Sequence, residues 1–145
     1  AGASVHPEAD FIEPQLIKFE KKVAAGAQFF QTQGIFDLAS LRRFRQYASQ
    51  FQVKILAGVI VLASARMARY MNENVPGITV PQAIIDEMAT AERGKGLQKG
   101  IEIAARFINT MKTDNLCHGV HIMAVGNERR VPELLEAAQL PGANA

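Results

Sequence analysis

Residues 18–37 read KFEKKVAAGAQFFQTQGIFD, and the order of signals in this stretch decides the fold. Its first half continues a stripe in which Ile12, Leu16, Phe19 and Val23 recur at spacings of four, three and four, one apolar face of an amphipathic helix over 9–25. Gly26 stops that helix. The aromatic and β-branched run that follows predicts a strand over 28–33, closed by the amide of Gln33. Gly34-Ile35-Phe36 then leads to Asp37, an N-cap for a further helix whose inner face is Leu38, Leu41, Phe44 or the stem of Arg45, and Ala48. Helix, strand, loop and helix in this order are the repeat of a parallel βα array. Gln33 falls at the carboxyl end of its strand, the edge on which such folds place their binding groups.

The repeat continues. VKILAGVIVL, residues 53–62, is a near-continuous apolar strand of the kind covered on both faces or facing a barrel interior. Ser64 caps a short helix to Asn72 carrying Met67 and Met71, a stripe that reads as core. Residues 73–81 form a loop, Pro81 opens a helix ending near Thr90, and RGKG at 93–96 breaks the pattern. A long helix lines up Leu97, Ile101, Ala104 or Ala105, Ile108 and Met111. A last strand is expected over 119–125 and a closing helix over 131–139. No Asn-Gly hairpin joins two strands, so a parallel sheet with right-handed crossovers is expected. Residues 1–7, AGASVHP, read as the tail of one more strand.

The chain has 145 residues, the size of one domain but well short of the roughly 250 of a complete (βα)8 barrel. The expected architecture is therefore α/β: a single domain forming the C-terminal half of a (βα)8 TIM barrel, about strands five (partial) to eight, with the N-terminal half lying outside this sequence. Sixteen Lys and Arg against fourteen Asp and Glu leave a net charge of +2, which argues against nucleic acid or an anionic membrane as partner. The cluster Arg42-Arg43-Phe44-Arg45 reads as a solvated helix face. One cysteine, Cys117, excludes an internal disulfide and a Cys-rich zinc site and reads as a small core residue despite His118 and His121 nearby. The longest apolar stretch, residues 55–65, is too short to span a bilayer. No signal peptide is recognised, so a cytoplasmic protein is expected.

His6-Pro7-Glu8-Ala9-Asp10 leaves three readings open. A histidine with two carboxylates suits a metal, but no second ligand cluster has zinc-like spacing, so no metal is expected. Acids at the start of a helix favour its macrodipole. An organic cofactor at a strand's carboxyl end is the third.

The segments share their order and spacing with one family. His6-Pro7-Glu8-Ala9, Lys22-Val23-Ala24-Ala25-Gly26-Ala27 and Thr32-Gln33 resemble the motifs that methylenetetrahydrofolate reductases carry after the fifth barrel strand, on the following helix and after the sixth strand. Leu56-Ala57-Gly58-Val59-Ile60 and Gly119-Val120-His121-Ile122-Met123 are similar to strands seven and eight. Residues 13–18 and 68–77 are most similar to the short form found in acetogen-like one-carbon pathways.

This resemblance implies a flavoprotein of one-carbon and folate metabolism, linked to methionine biosynthesis, that reduces 5,10-methylenetetrahydrofolate to 5-methyltetrahydrofolate. It implies FAD, or FMN, as cofactor, with NADH, NADPH or a partner subunit as electron donor. By the same resemblance His6, Ala9, Gln15, Lys18 and Lys22 contact the flavin, the two lysines near its phosphates or ribityl chain. Gln33 binds the pterin-like ring of folate, a role suited to an amide that donates and accepts at once. The chain departs from the family pattern at Gly2, where an aromatic is expected, at Met67 in place of a glutamine, and at Asn127 in place of a basic residue that Arg129 or Arg130 stands near. The catalytic acid of the family belongs to strands outside this sequence. Two other readings remain: a non-catalytic barrel fragment that associates with a complementary half or partner subunit as an oligomer, and an aldolase-like lyase. The lyase needs a Schiff-base lysine at a strand's carboxyl end, and Lys54 lies early in its strand.

Overall fold

The computed structural model describes residues 2–8 and 12–139. Four strands, β1 (Gly2–Val5), β2 (Phe29–Gly34), β3 (Lys54–Ile60) and β4 (Gly119–Met123), alternate with helices α1 (Ile12–Ala24), α2 (Leu38–Ala48), α3 (Ala65–Asn74), α4 (Gln82–Ala89), α5 (Gly96–Thr113) and α6 (Val131–Ala137). All strand pairs are parallel and the sheet order is β1-β2-β3-β4. Each strand thus neighbours its predecessor, as in consecutive units of a (βα)8 barrel, whereas a doubly wound sheet reverses its order at a switch point. The parallel α/β sheet expected from the sequence is what forms, and the opening residues do make a strand.

Alternation along β2 shows how the two faces differ. Phe30 and Thr32 are buried, and Phe30 packs against Phe19 of α1 with ring centroids 4.4 Å apart. Phe19 also meets Phe44 of α2 edge-on at 5.2 Å, so three elements share one aromatic cluster. Further along, Ala57 and Val59 of β3 pack with Leu41 of α2, Ile101, Ile108 and Met111 of α5 and Leu134 of α6. At the carboxyl end of the sheet, Ile60, Leu62 and Phe36 pack with Ala68 of α3 and Ile84, Ile85 and Met88 of α4.

The other face of β1 and β2 carries no helix among the described residues. Gln31 is half-buried and Phe29 and Gln33 are exposed, and with Gly2, Ser4 and Met123 they line an open groove of about 660 Å³. The Phe29 ring lies across the Cα of Gly2. The side chain missing at Gly2 therefore makes room for an aromatic from the neighbouring strand.

Element ends differ from expectation by one or two residues among the described residues. Glu73 and Asn74 extend α3 rather than opening the loop, and Pro81 caps α4 instead of beginning it. The last strand stops at Met123, and a 3₁₀ turn, Glu128–Arg130, precedes α6. The arginine cluster on α2 is not a plainly solvated face: Arg42 pairs with Asp114 at 2.6 Å, Arg43 donates to the Ser40 hydroxyl, and Arg45 has its Nε buried.

Candidate functional site at the carboxyl edge of the sheet

Gln33 owes its position to a bulge. Between Gln31 and Gly34 three steps of β2 oppose two of β3, Leu56 to Gly58, so one extra residue is accommodated and the strand turns at its end. The buried hydroxyl of Thr32 holds this irregularity. It accepts from the Gly58 N–H at 2.9 Å and donates to the Gln33 carbonyl at 2.7 Å, satisfying a backbone donor that the broken ladder would leave unpaired. The sheet ladder resumes with Ile35 N–H donating to the Gly58 carbonyl.

The Gln33 carboxamide then lies over Gly77 in the α3–α4 loop. Gly77 has φ +84, a conformation that favours glycine, and a Cβ there would sit 2.3 Å from Gln33 Oε1, so any other residue would also push the amide aside. Two hydrogen bonds between the Asn72 carboxamide and the Val80 backbone, of 2.9 and 2.6 Å, hold that loop in place. The exposed side chain of Gln33 thus lies beside Gly77 while the residue lines the open groove.

His6 sits half-buried on the loop after β1, behind the buried Pro7. Gln15, Lys18 and Lys22 follow at spacings of three and four along α1, one flank of that helix. Lys22 shows where the flank looks, because its ammonium donates to the Ser4 carbonyl on β1 at 2.8 Å, on the strand that is the edge of the sheet among the described residues. One of its three N–H donors is used there, and among the described residues the other two have no partner. Lys18 is exposed and Gln15 half-buried. Ala9 lies outside the described residues. His6 and this flank accordingly border β1, with Gln33 one strand further in.

Glu8 behaves differently from the acidic helix start expected at 8–10. Its Oε1 accepts from the N–H groups of Phe36 and Asp37, at 2.8 and 2.5 Å, so it serves the start of α2 rather than α1. Burial pushes its carboxyl above the ordinary range, against the lowering effect of the two backbone bonds. Asp37 in turn caps α2, accepting from the N–H of Ala39 and Ser40 and from the Ser40 hydroxyl. That hydroxyl bond, the largest cause, holds Asp37 below the usual carboxylate range.

Other candidates fall elsewhere. Met67 and Met71 pack on the carboxyl-end core, and the Met67 sulfur accepts from the Ala63 N–H at 3.3 Å. Arg130 is engaged with Glu133 and with Gln98 of α5. Cys117 lies at the opposite, amino edge of the sheet, half-buried, with its thiol pushed up by burial. The neighbouring His118 takes the Ile55 N–H on Nδ1 at 2.9 Å, and burial with nearby Arg45 and Lys54 lowers its pKa. Lys54 opens β3, far from the carboxyl edge a Schiff-base lysine requires. Among the described residues no group of three His, Cys, Asp or Glu could hold a metal ion.

The methylenetetrahydrofolate reductase family model matches residues 3–139, from β1 through α6. The chain belongs to this family. Over 67 residues it is 34% identical to the 5,10-methylenetetrahydrofolate reductase of Escherichia coli (strain K12), a match covering 45% of this chain and 23% of that enzyme. The reductase of Salmonella typhimurium gives the same figures. This match spans less than a quarter of the length of those curated relatives. Among solved structures, a Clostridium thermocellum protein that binds two copies of 5-methyl-5,6,7,8-tetrahydrofolic acid superposes with a TM-score of 0.56 at 18% identity. It covers 94% of this chain, which spans half of that protein. The shared fold therefore extends over nearly all the elements of this reductase-family chain.

Thr32, Gly77 and Glu8 are the parts of the site that reading the residues one by one did not expose. Thr32 is visible as half of the Thr-Gln motif. Gly77 sits in a Pro-Gly pair that reads only as a turn, and nothing local reveals that Glu8 reaches a loop 28 residues away.

Proposed function

We propose that this chain forms the folate-binding side, and one wall of the flavin site, of a (βα)8-barrel methylenetetrahydrofolate reductase that converts 5,10-methylenetetrahydrofolate to 5-methyltetrahydrofolate. The observation that carries the reading is the Gln33 carboxamide, exposed at the carboxyl edge of a parallel strand, beside Gly77 and on the wall of the groove. An amide held in this way matches the mixed donor and acceptor edge of a pterin-like ring. Family membership and the methyl-folate bound by the C. thermocellum protein support the substrate class.

The donor set around β1 fits FAD or FMN. Lys18 and Lys22 offer two ammonium groups on one flank for phosphate, Gln15 an amide between them and the strand edge, and His6 an imidazole beside that edge. A bound flavin supplies the hydride chemistry; NADH, NADPH or a partner subunit is the proposed source of electrons. The chain's own residues hold and orient: Gln33 fixes the folate ring, the α1 flank neutralises phosphate, and the bulge at Thr32 sets the angle between the two. The uncovered face of β1 and β2 and the unpaired edge of β1 fit closure against further strands of a barrel, whether from the same polypeptide or from a partner or second subunit. No helix among the described residues is long and apolar enough to cross a membrane.

The test is the visible spectrum and activity of the native full-length protein. Flavin absorption bands, bleached by an electron donor and restored by 5,10-methylenetetrahydrofolate, are expected. A colourless protein that neither takes up flavin nor turns over the folate contradicts the reading and leaves a non-catalytic barrel fragment in its place.

A further inference from the structure

The β1–α1 and β2–α2 connections leave the same edge of the sheet, and their ladder ends at the pair Val5 and Thr32. Beyond that pair, the hydrogen bonds joining the two loops among the described residues are those from Phe36 N–H and Asp37 N–H to Glu8 Oε1. Glu8 stands two residues after His6; Phe36 and Asp37 stand three and four after Gln33. One carboxylate oxygen therefore clasps the loop proposed to touch the flavin to the loop proposed to touch folate.

We infer that Glu8 is a positioning residue that sets the separation between the cofactor loop at His6 and the folate amide of Gln33. The inference rests on the functional reading above. Its physical basis is that Phe36 and Asp37 stand at the entry to α2, where N–H groups lack helical partners and carry partial positive charge. A carboxylate bonded there takes charge-assisted hydrogen bonds. Burial makes its ionised form costly, and the two backbone hydrogen bonds act against that cost.

Positioning of this kind has a distinctive signature. Each ring is held mainly by its own loop, so loosening the clasp leaves each affinity nearly intact. The step that joins them is sensitive: a hydride moves from the reduced flavin to the methylene carbon as the bond from that carbon to N10 breaks and N10 takes a proton, leaving oxidised flavin and the 5-methyl group. A misplacement of about 1 Å between two such groups costs on the order of a hundredfold in rate.

The experiment compares the full-length parent with Glu8→Ala, Glu8→Asp and Glu8→Gln. Three quantities are read: flavin content, 5-methyltetrahydrofolate affinity, and the stopped-flow rate at which 5,10-methylenetetrahydrofolate reoxidises the dithionite-reduced flavin. Glu8→Ala is expected to slow reoxidation at least about tenfold, with flavin content and folate affinity within about threefold of the parent. Glu8→Gln keeps an acceptor oxygen in place and is expected to stay near the parent rate. Glu8→Asp, one methylene shorter and the milder change should the alanine chain fail to fold, is expected in between. Reoxidation at the parent rate in both Ala and Asp variants overturns the inference, as does a fall in flavin content and folate affinity as large as the fall in rate. A parent that holds no flavin or does not react with the folate overturns the functional reading itself, a result the variants cannot produce.

Discussion

The two faces of β2 are built from alternate residues of one six-residue strand, yet they obey different rules. On the helix-covered face Phe30 is fully buried among Phe19 and Phe44, and its place is settled by packing. On the open face Phe29 keeps 42% of its surface exposed, and Gln31 and Gln33 present amides to a groove. The covered face shows what keeps the sheet together. The open face shows where a ligand or further strands can add to it.

Substitutions at adjacent positions break the comparison most severely. Phe30→Ala empties the aromatic cluster and is expected to lower stability by about 3–5 kcal/mol, measured by urea unfolding of the chain. Phe29→Ala, one residue away, is expected to cost no more than about 1 kcal/mol. Equal losses would mean that the open face is as well packed as the other.

The bulge that turns β2 is the next test. Thr32→Val keeps the shape and removes the hydroxyl, leaving the buried Gly58 N–H without its acceptor. A loss of about 1–3 kcal/mol is expected, together with faster amide exchange at Gly58. An unchanged exchange rate would show that the hydroxyl does not hold the bulge.

Charge sharpens the same picture at the loop. Asp37→Ala is expected to cost about 0.5–2 kcal/mol at neutral pH through loss of the α2 cap. Because the folded carboxyl titrates below its ordinary value of 3.8, this contribution is fully present above that value and is lost as pH falls through the folded one. Glu8 has the opposite sign. Its folded carboxyl binds the proton more firmly, so ionisation costs stability as pH rises from 4.5 through its raised value. Parallel acid titrations of Asp37→Ala and Glu8→Gln by thermal melting check both; penalties that move the same way with pH would contradict the assignment.

Much of this was legible in the sequence because it is local. The stripe of α1, the Asp37 and Ser64 caps and the apolar run of β3 depend on neighbours within a few residues, and the structure reproduces them. The position of Gln33 at a strand end was legible for the same reason. What escaped was long-range: the reach of Glu8 to Phe36, the seating of Gln33 on Gly77 and the extra residue at Thr32 depend on which loops the fold brings together. Arg42 of α2 looked solvated because its partner Asp114 lies 72 residues away.

The central claim is that the open amide of Gln33 recognises folate, and titration calorimetry of 5-methyltetrahydrofolate into the full-length protein and its Gln33→Leu variant tests it most directly. Leucine keeps the approximate volume and removes both donor and acceptor, leaving the ring's polar edge unpaired. The account predicts a loss of about 1–3 kcal/mol in binding, roughly five- to more than a hundredfold in Kd, with flavin content unchanged. Equal affinity in parent and variant would contradict it, and would reduce Gln33 to a loop residue resting on Gly77.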